Sequence, residues 1–369
     1  MKILYVGQSS SGPFSGPSVH IQEVIRGLTG LGHTVDYIPC CQVSGSVLRQ
    51  LWQRLRFGLK VHKLLQQDRP EWVYQREQLF DPFVALACRQ SGVAYALEVN
   101  GLILRELGRS GARAWTMALV RFCQGWALKS AKAVICPAAN WMRILQNDYG
   151  MRGEKFHFVQ NGVCLDQFAP QTIAAARAKL GVSPDELIVG FLGSVYRNYD
   201  FEPIFRAIQA VSNEYPQLKV HIVGPGPRRQ AVTELVSRLG LDSMVAIKEG
   251  VPHDQAPDVI ATFDLCLMPY CSEVLRENNG MFSMKLQEYT ASARPLLAHD
   301  LPSSDSYADA NEFGWTFAPD DPAGALRALH SALRSKTERD LRGTVARRYA
   351  EGLSWTAVAQ KIHQILTAS

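Results

Sequence analysis

The sequence predicts an α/β protein of two domains, each a doubly wound parallel sheet covered by helices. Three observations carry this reading. The chain has 369 residues, more than one ordinary core organises. Short apolar runs alternate with amphipathic stretches of helical period, the mark of a parallel sheet wound with crossover helices. The rhythm breaks once, over residues 164–186, and then restarts.

The first half opens with an apolar run at 2–6, a polar loop GQSSSGPFSGPS, and an amphipathic stretch at 19–31 with Ser18 as its expected N-cap. HTVDYIP is the second strand. A helix over 46–67 leads to the strand EWVYQRE, a helix over 79–90 to VAYALEVNG, and a long helix over 103–130 to AKAVICPA. A helix at 140–149 and the strand KFHFVQNGV close the domain. After a linker with one helix at 173–180, the strands LIVGFLGSV, LKVHIVGPGP, VAIKEG, DLCLMPY, ARPLLAHD and WTFAPDD alternate with helices at 201–215, 228–239, 256–263 and 283–293. Helices at 322–335 and 337–351 follow. A last one starts near Ser354 and carries Trp355, Val358, Ile362 and Leu366 on one face. The expected domains are 1–165 with 352–369, and 166–351.

Composition narrows the class. An apolar fraction of 47% and a charged fraction of 20% exclude a disordered chain. Eight cysteines form no CxxC pair and no zinc-ligand spacing, so they read as reduced thiols packed as small hydrophobes. No secretory leader pattern opens the chain, and no apolar run reaches the roughly 18–20 residues of a membrane span. A cytoplasmic protein is expected, with a peripheral place on the inner membrane face open to it. The net charge of +5 is uneven: residues 1–165 carry 19 Lys and Arg against 10 Asp and Glu, and the remainder 20 against 24. The first half therefore suits an anionic partner. No nucleic-acid-binding motif accompanies that charge.

Chemistry concentrates at strand ends, where open α/β sheets bind ligands. Gly12 and Gly16 lie in the first loop, spaced neither as GxGxxG nor as a P-loop, and a tight turn uses the same residues. Asn100 ends the strand VAYALEVNG, and Asn161 opens the turn after KFHFVQ. Gly193 and Ser194 follow LIVGFL, with Arg197 in the next loop as a candidate diphosphate contact. Gly224 and Gly226 flank a proline in a turn able to expose backbone to a nucleoside. Gly280, Met281 and Phe282 run into a helix whose first turn offers N–H groups to a diphosphate. On that helix Lys285 and Glu288, at i and i+3, share a face. Lys285 adds positive charge, and Glu288 can accept from two vicinal hydroxyls, as a ribose offers.

Taken in order, these segments resemble the retaining GT-B glycosyltransferases of glycosyltransferase family 4 over nearly the whole chain. KLQEYTASARPLLA resembles that family's K-L-x-E-Y-x-A-x-x-x-P pattern, and QNGVCLDQF its N-G-V-D-x-x-x-F pattern with Cys164 at the Asp position. The resemblance implies two Rossmann-like domains with a cleft between them and a final helix crossing back to the first. It implies Gly12 and Gly16 near donor diphosphate and acceptor, Arg197 and Lys285 on the diphosphate, Glu288 on the donor ribose, and the Gly224–Gly226 backbone along the nucleotide. Departures are Gly280 where the family often has Glu, Ser194 where it often has Arg, and Asn100 where many members have His.

The implied activity is transfer from a nucleotide-sugar donor, of hexosyltransferase type, with retention. No cofactor is implied, the nucleotide-sugar being a substrate. No Asp-x-Asp occurs, so metal-independent chemistry is expected, with Arg197, Lys285 and Asn100 as catalytic candidates. The basic amphipathic stretch 46–67 and the arginines at 105, 109, 113 and 121 suit an anionic bilayer and a glycan or lipid-linked acceptor, as in polysaccharide synthesis. Two other readings share the shape: a sugar-nucleotide epimerase and a non-catalytic binding protein.

Overall fold

Two six-stranded, wholly parallel sheets organise the protein. The computed structural model describes residues 1–8, 16–40, 43, 45–271, 284–300 and 310–368. The chain divides into one unit of Met1–Asn161 with Trp355–Ser369, and a second of Gly162–Ser354.

The first unit runs β1 (Lys2–Gly7), α1 (Gly16–Gly30), β2 (Thr34–Pro39), α2 (Val47–Gln67), β3 (Trp72–Arg76), α3 (Phe83–Ser91), β4 (Ala94–Glu98), α4 (Ile103–Arg109), α5 (Ala114–Ser130), β5 (Ala133–Cys136), α6 (Ala139–Tyr149) and β6 (Phe156–Phe158). Its strand order is β2-β1-β3-β4-β5-β6. Right-handed crossovers then put α1 on one face and α2, α3, α5 and α6 on the other. Leu4, Val6, Val73, Leu97 and Val134 pack under Val61, Val84, Leu128 and Leu145 of that second layer. Gly58 lets α3 approach α2, because a Cβ there would lie 2.5 Å from the Phe83 Cβ.

The second unit contains α7 (Ile173–Leu180), β7 (Leu187–Leu192), α8 (Glu202–Val211), β8 (Leu218–Val223), α9 (Arg229–Arg238), β9 (Val245–Lys248), α10 (Ala256–Ala261), β10 (Leu265–Met268), α11 (Met284–Ala291), β11 (Leu296–His299), α12 (Ala310–Phe313), β12 (Gly314–Phe317), α13 (Pro322–Arg334) and α14 (Lys336–Glu351). The order is β12-β11-β10-β7-β8-β9, so the chain reverses direction between β7 and β10. Alternate residues feed two cores. Val189, Phe191, Leu265 and Leu267 meet Ile204, Ile208 and Leu329 on one face. Ile188, Cys266 and Met268 meet Ile260, Phe263, Leu286 and Tyr289 on the other.

Helix α15 (Trp355–Ala368) belongs to the first unit and packs on α1. Trp355, Val358, Ile362 and Leu366 are its buried face, as the periodicity predicts. The contact is close because Gly27 has no side chain: a Cβ there would sit 2.6 Å from that of Ala359.

Several helix bounds differ from the sequence reading, the helix expected over 201–215 among them, which ends at Val211. The stretch 103–130 is two helices, because Gly111 at φ 74° ends the first turn-by-turn run. The helix expected from 79 starts at Phe83, where Asp81 accepts the Phe83 N–H at 3.2 Å behind Pro82. Helix α1 already begins at Gly16, so Ser18 lies inside it. The seven described cysteines are free, and burial pushes the thiols of Cys88, Cys136 and Cys266 well up. No helix among the described residues is long and apolar enough to cross a membrane.

The α1–α15 contact is testable. Gly27→Leu forces a side chain into Ala359 and is expected to destabilise the protein by about 1–3 kcal/mol in urea titration. Gly30→Ala meets nothing within 4 Å and serves as the near-neutral control.

Candidate functional site

In the second unit the site gathers at the carboxyl ends of β7 and β8, next to the β7–β10 boundary where the strand order reverses. Gly193, Gly224 and Gly226 adopt φ of 139°, 149° and 148° there. A Cβ on Gly224 would strike the Gly193 carbonyl, and one on Gly226 the backbone of Val195. The glycines thus let two loop backbones cross, with Val195 N–H donating to the Pro225 carbonyl at 2.7 Å.

Lys285 lies across this crossing. A Cβ on Gly193 would collide with its Cε. Its ammonium donates to the Tyr199 hydroxyl at 3.0 Å and stands 5.5 Å and 5.3 Å from the ring centres of Phe191 and Tyr199. Arg197 and Tyr199 both compete in sequence for the family's basic position after this glycine, and it is Tyr199 that meets Lys285. Ser194 is half-buried beside the crossing, and Arg197 is exposed in the following loop.

One helical turn on from Lys285, Glu288 meets His253, which also escaped the sequence reading. The His253 Nε2 is 3.0 Å from Glu288 Oε1, and the two side chains are 17% and 12% exposed. The imidazole stacks edge-on against Phe168, and Gln167 donates to the His253 carbonyl at 3.3 Å. The Glu288 hydrogen bond raises the His253 pKa above its ordinary 6.5, against burial and with help from the charges of Glu288 and Asp254.

The first unit has its own polar cluster at the ends of β3 and β4. Glu98 sits 2.7 Å from His20 Nε2 and accepts from the Tyr74 hydroxyl at 2.7 Å. Burial alone would push its carboxyl up, yet His20 first, then Arg76 and Tyr74, hold it down at about 2. Asn100 is exposed, accepts from Arg76 Nε at 2.5 Å and donates to the Glu77 carbonyl at 3.0 Å. Burial pushes the Glu77 carboxyl up to about 8, opposed by a 2.6 Å hydrogen bond from Gln124 and assisted by the charge of Glu106. Asn161 lines a narrow cavity with His20, Tyr74, Glu98 and Val159. Gly16 is the first residue of α1. Gly12, Gly280, Met281 and Phe282 lie outside the described residues. Among the described residues no group of three His, Cys, Asp or Glu is disposed to hold a metal.

Two parallel α/β units of this topology, with a lysine and a glutamate on the helix after β10, define a GT-B type protein. The structure is similar to that of HepE from Anabaena in complex with UDP, at a TM-score of 0.75 and 15% identity over 100% of both chains. It is also similar to WaaG, a glycosyltransferase involved in lipopolysaccharide biosynthesis, at a TM-score of 0.73 and 16% identity over 100% of both chains. A family model described as Glycosyltransferase Family 4 matches residues 14–167, and one described as Glycosyl transferases group 1 matches residues 186–335. The chain belongs to the group 1, family 4 glycosyltransferases. It is 27% identical over 252 residues to the D-inositol 3-phosphate glycosyltransferase of Streptomyces scabiei, covering 66% of this chain and 55% of that protein. The enzyme of the same name from Rhodococcus jostii is 28% identical over 223 residues, covering 58% and 48%. The matched region thus spans about half the length of these relatives.

The His253–Glu288 pair has a defined pH signature. A raised histidine pKa adds stability below the ordinary 6.5, and that contribution is lost as pH rises through the folded value. The His253 ring resonance is expected to titrate above 6.5 in NMR and to fall in Glu288→Gln.

Proposed function

We propose that the protein transfers a hexosyl group from a nucleotide-sugar to a sugar or lipid-linked sugar acceptor, with retention and without a metal ion. The observation that carries this reading is the disposition of α11. Lys285 crosses the glycine loop after β7, while Glu288, a turn away, is held by His253. A cation over a backbone crossing suits a diphosphate, and a fixed carboxylate suits two ribose hydroxyls. HepE, of like fold, has been crystallised with UDP-glucose, which makes a UDP-sugar the first donor to test.

In the proposed step the bond from the anomeric carbon to the diphosphate oxygen breaks as the acceptor oxygen bonds to that carbon. The acceptor proton passes to the leaving diphosphate. Lys285, with Arg197 from its loop, offsets the developing charge. Asn100, fixed by Arg76 and the Glu77 carbonyl, orients an acceptor hydroxyl in the first unit. Its neutral amide hydrogen-bonds without titrating. A lipid-linked acceptor would draw the basic first half to an anionic bilayer from the cytoplasmic side.

Transfer assays over UDP-, GDP- and ADP-sugars test the reading. Lys285→Ala is expected to lower kcat/KM by about 10²–10³-fold. Glu288→Gln is expected to raise the donor KM roughly tenfold or more with a smaller loss in kcat. Product anomeric configuration is read by NMR, and activity is expected to persist in EDTA. Loss in EDTA restored by Mg²⁺ would remove the metal-independent part, and absence of transfer with every donor would remove the whole.

A further inference from the structure

The outward side of the α2–α3–α5 layer carries a feature that catalysis leaves unused. Among the described residues, seven of the eleven exposed large apolar side chains lie on it: Leu48, Trp52, Leu55, Leu59, Leu86, Trp115 and Phe122. On α2 the first four recur at steps of four, three and four residues, one stripe along the helix. That helix already buries Phe57, Val61 and Leu65 against the sheet, so it is apolar on both sides. An outward apolar stripe on a helix is normally covered by something. On α5, Trp115 and Phe122 are two turns apart and 54% and 67% exposed.

Charge says what covers it. Helices α2, α3 and α5 contain no acidic residue. Arg49, Arg56, Lys60, Lys63, Arg89 and Arg121 are exposed among the apolar residues, and the Arg56 guanidinium stacks over the Trp52 ring at 4.6 Å. One member of the basic set differs from the sequence reading. Arg54 is 1% exposed and donates to the Leu79 carbonyl at 3.2 Å, so it ties α2 to the loop before α3 and leaves the outer charge to the others. A second copy of the chain would set this predominantly cationic face, with Asp148 the acid beside Phe122, against itself, which like-charge repulsion opposes. An anionic bilayer satisfies both halves: acyl chains take the tryptophans and leucines, and headgroup phosphates take the cations.

We propose that the α2–α3–α5 face is a docking surface for anionic phospholipid bilayers, with Trp52, Leu55 and Leu59 as the inserted stripe. This deepens the membrane part of the proposed function by assigning the face and the lipid class. It is read without donor or acceptor, so its failure leaves the transfer reading standing.

Vesicle co-sedimentation of the full chain tests it, with phosphatidylcholine alone and with phosphatidylglycerol added, at low and high salt. Binding is expected only to the phosphatidylglycerol vesicles, with release at high salt. Trp52→Ser with Leu59→Ser, and separately Arg56→Glu with Lys60→Glu, are each expected to weaken binding at least about tenfold. Both pairs are exposed, so thermal melts are expected to match the parent, and if one pair misfolds the other carries the test. Absence of binding to phosphatidylglycerol vesicles overturns the proposal. So does parental binding by both variants, or a soluble dimer that the Trp52/Leu59 variant splits.

Discussion

The second unit depends on two loop backbones passing where no Cβ fits. Gly193, Gly224 and Gly226 hold φ near 140–150°, values a side-chained residue adopts only under strain. The crossing brings the ends of β7 and β8 together and leaves a shelf across which the Lys285 stem runs. Tyr199 then receives the ammonium, and Phe191 turns a ring toward it. A charge held over aromatic faces and one hydroxyl is kept extended, at a place where the sheet's own topology opens a crevice.

Carboxylates at the candidate sites are governed by histidines in both units. Glu98 is fully enclosed, and His20 with Arg76 and Tyr74 keeps it ionised. Glu288 is less enclosed and holds its histidine in turn, raising His253. Glu77 shows the contrary case: burial, with the nearby Glu106 charge and against the Gln124 amide, carries its pKa up to about 8. Glu98 and Glu77, both buried near strand ends, thus shift in opposite directions because their partners differ.

Much of this was legible in the residues. Short continuous apolar runs located the strands, because both faces of a buried parallel strand must be apolar, and period-3.6 patterns located the helices. The Lys285/Glu288 spacing was readable as one helical face. The histidine partners were not. His20 and His253 are distant in sequence from Glu98 and Glu288, and only the folding of strand ends toward one edge makes them neighbours. The break at Gly111 was hidden inside an otherwise helical pattern, since a glycine mid-pattern costs a helix only about 1 kcal/mol and gives a weak signal. Arg54 misled for a related reason: on a helix rich in cations, only tertiary packing tells which one turns inward.

The first unit is completed by a segment that the chain supplies last. Residues 162–354 form the second unit without interruption, and its two ends meet where the Val163 N–H donates to the Leu353 carbonyl at 2.9 Å. During synthesis the second unit can close on itself while α1 still waits for α15. Until then the seat beside Gly27 stays open to water, and the half-built first unit must shelter that apolar groove from neighbouring chains. The order of completion is therefore the reverse of the order of synthesis, with the earliest-made sheet the last to be sealed.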